Sequence, residues 1–452
     1  MLSIIILAAG QGTRMKSEIP KVLHKLAGRT LLEHVYISAS RLEHRMINIV
    51  YGYGGKKVPE TLSHLPVNWI EQEHQLGTGH AVNLALHTIP QDDHVLILYG
   101  DIPLITFETL SALIEDSNET GFSLLTSYIE DPKGYGRIVR NAIGVLEKIV
   151  EDKDADETQR SICEINTGIM VVRASLLKNW LSQLDKNNAQ GEYYLTDIVE
   201  HAVEQKVQVN SKSPESVMEV RGVNDRAQLS ELERYYQLIQ AHHLMKLGVT
   251  LLDPARFDLR GDLETGEDVE IDVNVIIEGS VSIGNNVKIG ANCYINNADI
   301  NDGTEIFPNS YIENTVIGKN CRVGPFARVR PESRLDNNVH IGNFVEIKKT
   351  DVGEGTKINH LSYIGDSSLG KNINIGAGTI TCNYDGAHKH HTIIEDDVFI
   401  GSDTQLVAPV TIKKGATVGA GTTVIRDVET GELIHNKIEH TNVKNWKRPV
   451  KK

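Results

Sequence analysis

The second half of the chain places aliphatic residues every six positions, and this period restricts the fold more than any other feature. Ile271, Ile277, Ile283 and Ile289 form one series; Ile317, Val323, Val329, Leu335, Ile341 and Ile347 form a second. Ile394, Ile400, Leu406, Ile412, Val418 and Val424 form a third. Glycine often comes next, as at Gly284, Gly290, Gly318, Gly324, Gly342, Gly401 and Gly419. This is the hexapeptide pattern of a parallel β-helix: one aliphatic residue points inward on each flat side, and small residues turn the corners. Three sides make a coil of about 18 residues, and stacked coils pair their strands about 4.8 Å apart. Residues 295–316 interrupt the series irregularly. Residues 381–393 form a polar segment expected to protrude, and loops on a rigid scaffold often carry function.

The first half has a different rhythm. Short apolar runs at Ile4–Leu7, Ile47–Val50, Val95–Tyr99 and Gly168–Val172 read as buried strands. Leu31–Leu42 and Thr106–Asp116 read as helices between them. That alternation predicts an α/β domain over 1–225 with a largely parallel sheet, its ligands beyond the carboxyl ends of the strands. Leu229, Leu232, Tyr236, Ile239 and His243 recur at helical spacing, so residues 226–247 read as one linker helix of about 33 Å. The all-β repeat domain then fills 248–452.

A length of 452 residues requires more than one core. The net charge of -14 argues against nucleic acid as a partner. No apolar run reaches the roughly 20 residues that span a bilayer. The start, Met1 to Gly10, has no basic flank and runs straight into a glycine turn, so it reads as a first strand rather than a leader. Cys163, Cys293, Cys321 and Cys382 show no metal-binding spacing, which fits free thiols in a reducing, cytoplasmic compartment.

Two clusters carry chemistry in the first half. Leu7-Ala8-Ala9-Gly10-Gln11-Gly12-Thr13-Arg14-Met15 follows a strand, so its backbone N–H groups can cradle phosphate. It is not a dinucleotide fingerprint, because Met15 stands where the third glycine belongs. It is not a Walker A loop, because no Gly-Lys-Ser/Thr follows. Instead it offers two cations, Arg14 and Lys21, suited to the charge that builds on an attacked α-phosphate. Tyr99-Gly100-Asp101 ends a strand, and a carboxylate there suits Mg²⁺ shared with phosphates. Gln72 and Gly77-Thr78-Gly79-His80 form a second polar, glycine-rich segment near where a base could sit.

In the repeat half, Arg330 and Lys348 each follow an inward residue and lie one coil apart. Stacked cations repel, so the pair points either to an anion between them or to nearby carboxylates. His360 falls two residues after Ile358 and should face outward. His388, His390 and His391 sit in the protruding loop and define no ligand set.

Together these motifs, with Gly134-Tyr135-Gly136-Arg137, Glu164-Ile165-Asn166-Thr167-Gly168 and Gly222-Val223-Asn224, resemble one family over nearly the whole chain. It is the bacterial bifunctional N-acetylglucosamine-1-phosphate uridylyltransferase and glucosamine-1-phosphate N-acetyltransferase. The resemblance implies a Rossmann-like nucleotidyltransferase domain, a linker helix and a left-handed parallel β-helix, assembled as a homotrimer. It implies that Leu7, Ala8, Ala9, Gly10 and Lys21 bind UTP, and that Gln72, Gly77 and Thr78 read uracil. Tyr99, Gly100 and Asp101 would line the site, and Asp101 with Asn224 would hold Mg²⁺. Gly136, Glu151, Asn166 and Asn224 would hold the amino sugar. In the β-helix it implies His360 as general base, with Arg330, Lys348, Tyr363, Asn374 and Lys389 on the sugar phosphate. Ala377, Asn383, Tyr384, Ser402, Ala420 and Lys437 would contact acetyl-CoA as co-substrate. At that last position the family carries Arg, and Lys keeps the charge but loses the bidentate grip.

The expected outcome is UDP-N-acetylglucosamine from glucosamine-1-phosphate in two steps. Two rivals are a nucleotidyltransferase whose β-helix only oligomerises or regulates, and an inert assembly scaffold.

Overall fold

The computed structural model describes residues 1–437 and 440–450; the last two residues of the basic tail lie outside the described residues. Contacts divide the chain into two units, Met1–Tyr236 and Gln237–Lys452.

The first unit is built on a nine-stranded sheet. Its main path runs Asn210–Lys212, Phe122–Tyr128, Glu164–Arg173, His94–Tyr99, Leu2–Ala8, Met46–Tyr51, Asn68–Glu71. All seven residues of the first strand are buried, as a strand covered on both faces requires. Leu2–Ala8 pairs in parallel with both Met46–Tyr51 and His94–Tyr99. The sheet is less parallel than the alternation predicts. Glu164–Arg173 runs antiparallel to both of its neighbours on this path. It enters from the hairpin Arg137–Arg140 and Leu146–Val150 rather than from a crossover helix, so nothing turns it round to the parallel direction. The helix Leu31–Ser40 opens with a capping box between Thr30 and Glu33. Phe107–Thr120 is capped by Thr106 and stopped by left-handed Gly121.

One helix spans Arg226–Lys246. Leu232 is buried in its first half, with Leu229 and Tyr236 packed beside it, as the apolar stripe predicts. The second half departs from that stripe. Ile239 and His243 are exposed, and Gln237, Ala241 and Leu244 are buried instead. The two halves serve different cores, so the buried face rotates between them.

The second unit is the parallel β-helix. Its strands stack into an 11-stranded and a 13-stranded sheet, the latter holding two of the three flat sides. Every position in the three aliphatic series is buried. The apparent break at 295–316 is a change of step and not a loss of fold. Ile295, Ile300, Ile306 and Ile312 continue the inward rows. One corner there drops a residue, so the spacing from Ile295 to Ile300 is five. Asn297 and Asn314 make the tighter corner with φ of 45° each, a left-handed conformation asparagine tolerates.

Candidate functional site

The strands Leu2–Ala8 and His94–Tyr99 end side by side, and the chain turns sharply after each. Gly12 takes φ 60°, and a Cβ there would come within 2.7 Å of Lys21 Cβ. That close approach folds Lys21 back toward the strand ends. Its ammonium contacts the Asp101 carboxylate and donates to Asn224 Oδ1 at 3.3 Å. Asp101 is tied to the same loop through Val223 N, 2.9 Å from Asp101 O.

A cavity of about 520 Å³ opens here. It is lined by Leu7, Ala8, Ala9, Gly10, Lys21, Gln72, Gly77, Thr78, Tyr99 and Asp101, all anticipated from the sequence. Gly100 is buried behind this lining. Gln72 donates its amide N–H to Gly77 O at 3.2 Å and lies 3.0 Å from His80 Nδ1. Arg14 is exposed and is not among the lining residues. Gln11, Gln75, Ala81 and Glu192 line the cavity without having been anticipated. Gln11 sat inside the glycine motif as a spacer; Glu192 comes from a remote loop, and only the fold brings it in.

Gly136, Glu151 and Asn166 converge beside it. Asn166 N donates to Gly136 O at 2.8 Å, and a Cβ on Gly136 would lie 3.6 Å from Glu151 Cδ. Gly168, at φ 84°, lets the Tyr99 ring pass where a Cβ would be 2.4 Å from it. Burial pushes the Tyr99 phenol up, helped by the negative charges of Glu151 and Asp101. Burial also raises Glu151, although Thr196 donates to its carboxylate at 3.0 Å. A neighbouring acidic recess holds Glu151, Asp154, Asp185, Asp197 and Glu200. Burial, then the carboxylates of Glu151, Glu200 and Asp185, push Asp197 up to about 6.

In the β-helix most of the candidate residues lie at two corners. Asn343 and His360 pair across adjacent coils. Backbone hydrogen bonds continue that column from His360 O to Gly378, from Ala377 O to Asp403 and from Ser402 O to Gly421. His360, Ala377, Ser402 and Ala420 therefore stand as successive rungs. His360 Nδ1 lies 2.9 Å from Asn343 Oδ1, a partner one coil earlier that register alone would have found.

The second corner holds Arg330 and Lys348. They do stack, but each already has a carboxylate: Arg330 donates to Glu346 at 2.8 Å and Lys348 to Asp366 at 3.0 Å. Carboxylates therefore balance both cations in the ligand-free chain. Asn383 donates to Asp366, and lies 3.4 Å from the Tyr363 hydroxyl. Lys389 is held below its ordinary value by the neighbouring Lys348 ammonium. Asn374 is half-buried on the flat side before the His360 column; Tyr384 and Lys437 are exposed. Lys348 pairs with Gly365, five residues past His360, and the chain bends between them at Leu361 (φ 47°), so at most about 16 Å of chain path separates the two corners. Among the described residues no group of His, Cys, Asp or Glu side chains forms a metal cluster, and no helix is long and apolar enough to cross a membrane.

Comparisons with known proteins match both halves of the chain. Residues 4–164 match the MobA-like NTP transferase domain. Residues 259–335 match the GMPPB C-terminal domain, and 391–426 match the bacterial transferase hexapeptide (six repeats). Fold and matched domains define a nucleotidyltransferase followed by a hexapeptide-repeat transferase. The chain is 55% identical to the bifunctional protein GlmU of Methylococcus capsulatus, over 99% of this chain and 97% of that protein. It is 54% identical to the bifunctional protein GlmU of Marinobacter nauticus, over 100% and 99%. It belongs to the GlmU family of bifunctional enzymes. A solved nucleotidyl transferase from Methanothermobacter thermautotroptrophicus aligns with 54% of this chain and 99% of its own, at 18% identity; its TM-score of 0.38 is too low to inform the site.

Proposed function

We propose that the cavity around Lys21 and Asp101 transfers UMP from UTP to N-acetylglucosamine-1-phosphate, and that the His360 column makes this acceptor by acetylating glucosamine-1-phosphate. The uridylyltransferase and acetyltransferase activities come with the family; the residue roles, the metal and the assembly are our assignments. The product, UDP-N-acetylglucosamine, feeds cell-wall synthesis. The observation that carries the first assignment is the convergence of the glycine turn, Gln72, Thr78, Tyr99 and Asp101 on one cavity with Lys21 at its rim.

In the first reaction a sugar-phosphate oxygen attacks the α-phosphorus of UTP. The new P–O bond forms as the bond to the β-phosphate oxygen breaks, and pyrophosphate leaves. The nucleophile is already an anion, so no general base is needed. The turn from Leu7 to Gly10 and Lys21 hold the phosphates; Gln72, Gly77 and Thr78 hold the base. Gly136, Glu151 and Asn166 hold the amino sugar. The Asp101 carboxylate and the Asn224 amide oxygen both face one cation, the Lys21 ammonium, and this pair of hard oxygens fits Mg²⁺ completed by phosphates. When bound, Mg²⁺ would neutralise charge on the phosphates.

In the second reaction the glucosamine amine attacks the thioester carbonyl of acetyl-CoA. The C–N bond forms, the C–S bond breaks and the thiol of CoA leaves. With Nδ1–H donated to Asn343, His360 keeps Nε2 to take the amine proton. The rungs Ala377, Ser402 and Ala420, with Asn383, Tyr384 and Lys437, would hold the coenzyme. Arg330, Lys348, Tyr363, Asn374 and Lys389 would hold the sugar phosphate. His360 and the Arg330–Lys348 pair fall on different corners of the coil, and this, with the family resemblance, supports a site shared between chains of a homotrimer in the cytoplasm. Sedimentation of the pure protein as a monomer would refute that assembly.

The deciding test is thiol release from acetyl-CoA with glucosamine-1-phosphate, run beside pyrophosphate release from UTP with N-acetylglucosamine-1-phosphate and Mg²⁺. Both are expected. Pyrophosphate alone would make the β-helix a scaffold, and neither would overturn the proposal.

A further inference from the structure

We infer that Arg137 is a positioning residue for the amino-sugar subsite, setting sugar-phosphate affinity without touching the sugar. The inference rests on the proposed uridylyl transfer. Arg137 is only 2% exposed, among the least accessible large side chains of the protein. It begins the strand Arg137–Arg140 and stands in register with Val150 on one side and Ile165 on the other. The residue next to each member of this row is a sugar-subsite residue: Glu151 after Val150, Gly136 before Arg137, Asn166 after Ile165. One rung of sheet thus delivers all three.

The guanidinium fixes two of the three from the side. One amino group donates to Tyr135 O, the carbonyl just before Gly136. The other donates to Asp152 Oδ1 at 2.9 Å, on the residue just after Glu151. The two turns that carry Gly136 and Glu151 are therefore tied through one planar group, whose geometry allows little play. Nε remains buried without a hydrogen-bond partner. A buried charge and an unpaired donor both cost stability that an apolar side chain of this size would avoid, so packing alone does not account for arginine here.

The test is the separate measurement of KM for N-acetylglucosamine-1-phosphate and for UTP in Arg137→Met, Arg137→Lys and Asp152→Asn, with acetyl transfer as an independent readout. Arg137→Met is expected to raise the sugar-phosphate KM about tenfold or more, with the UTP KM within about twofold and acetyl transfer unchanged. Arg137→Lys, which keeps the charge but not the planar fork, is expected to fall between. Asp152→Asn weakens only one arm of the clamp, taking the charge but not the acceptor from a partly exposed side chain. It is expected to raise the sugar-phosphate KM about threefold, and it decides the matter should Arg137→Met not fold. Equal rises in both KM values, or no rise in any folded variant, would overturn the inference. Failure of wild type to release pyrophosphate would instead defeat the uridylyl-transfer reading and the inference with it.

Discussion

The Lys21 ammonium donates to Asn224 Oδ1 at 3.3 Å, although 203 residues separate them, and the same ammonium contacts Asp101. The opening motif and the last loop of the first unit therefore meet on one cation. Removing the carboxylate at their centre is expected to stop pyrophosphate release in Asp101→Ala while the fold and acetyl transfer persist. Lys21→Met is expected to lose about 10²–10³ in kcat, or about 3–4 kcal/mol of transition-state stabilisation. Near-normal turnover of Asp101→Ala at low Mg²⁺ would remove the metal assignment.

The acetyl site makes its own prediction. His360→Ala is expected to abolish thiol release and leave pyrophosphate release intact. Asn343→Ala takes away the acceptor that fixes the ring, and is expected to lower kcat about tenfold, within the range of second-layer losses at comparable histidines. A rate unchanged in Asn343→Ala would show that the tautomer is set by another contact.

Stability should respond to pH through Asp197. Its carboxyl titrates at about 6 in the folded chain and near its ordinary value of 3.8 in the unfolded one. Between those values the folded state holds the extra proton, so stability falls as pH rises through this window. Asp197→Asn is expected to raise the melting temperature of the first unit above pH 6 and to leave it unchanged below pH 4. Thermal unfolding at pH 4, 6 and 8 checks this; an equal shift at all three would point to a cause other than charge.

The tight corners of the β-helix can be tested at Asn314. At φ 45°, valine should cost about 1–2 kcal/mol and glycine only a few tenths. Denaturant unfolding of Asn314→Val and Asn314→Gly measures both. Equal stability would mean that the corner relaxes without strain.

Much of this architecture could be read from the chain because most inward positions of the coil are filled by Ile, Val or Leu; Thr381, buried in the row of Ile364 and Leu406, is an exception. The reading failed at 295–316 for a physical reason. A corner can lose one residue when asparagine takes a left-handed turn, so the period slips while the fold continues. The strand order was harder still, since nothing local to Glu164–Arg173 reveals that it runs antiparallel. At the sites, the glycine turn, Asp101 and His360 stood out by residue type. Glu192, Asp366 and Glu346 did not, because an isolated carboxylate has no signature until folding sets it beside a cavity or a cation. Register alone placed Arg330 over Lys348, yet only their partners show how that charge is balanced.

The column from His360 through Ala377 and Ser402 to Ala420 behaves as a ruler. Each rung is one coil, about 4.8 Å, so His360 lies about 14 Å from the far mark at Ala420. From Ala377 to Ser402 the chain spends 25 residues, yet climbs a single rung, because the extra length leaves the coil as the loop after Thr381. Insertions at the corners leave the graduation unchanged. A change of one whole coil moves the mark by a fixed increment, so any ligand lying along this column would be measured in whole steps.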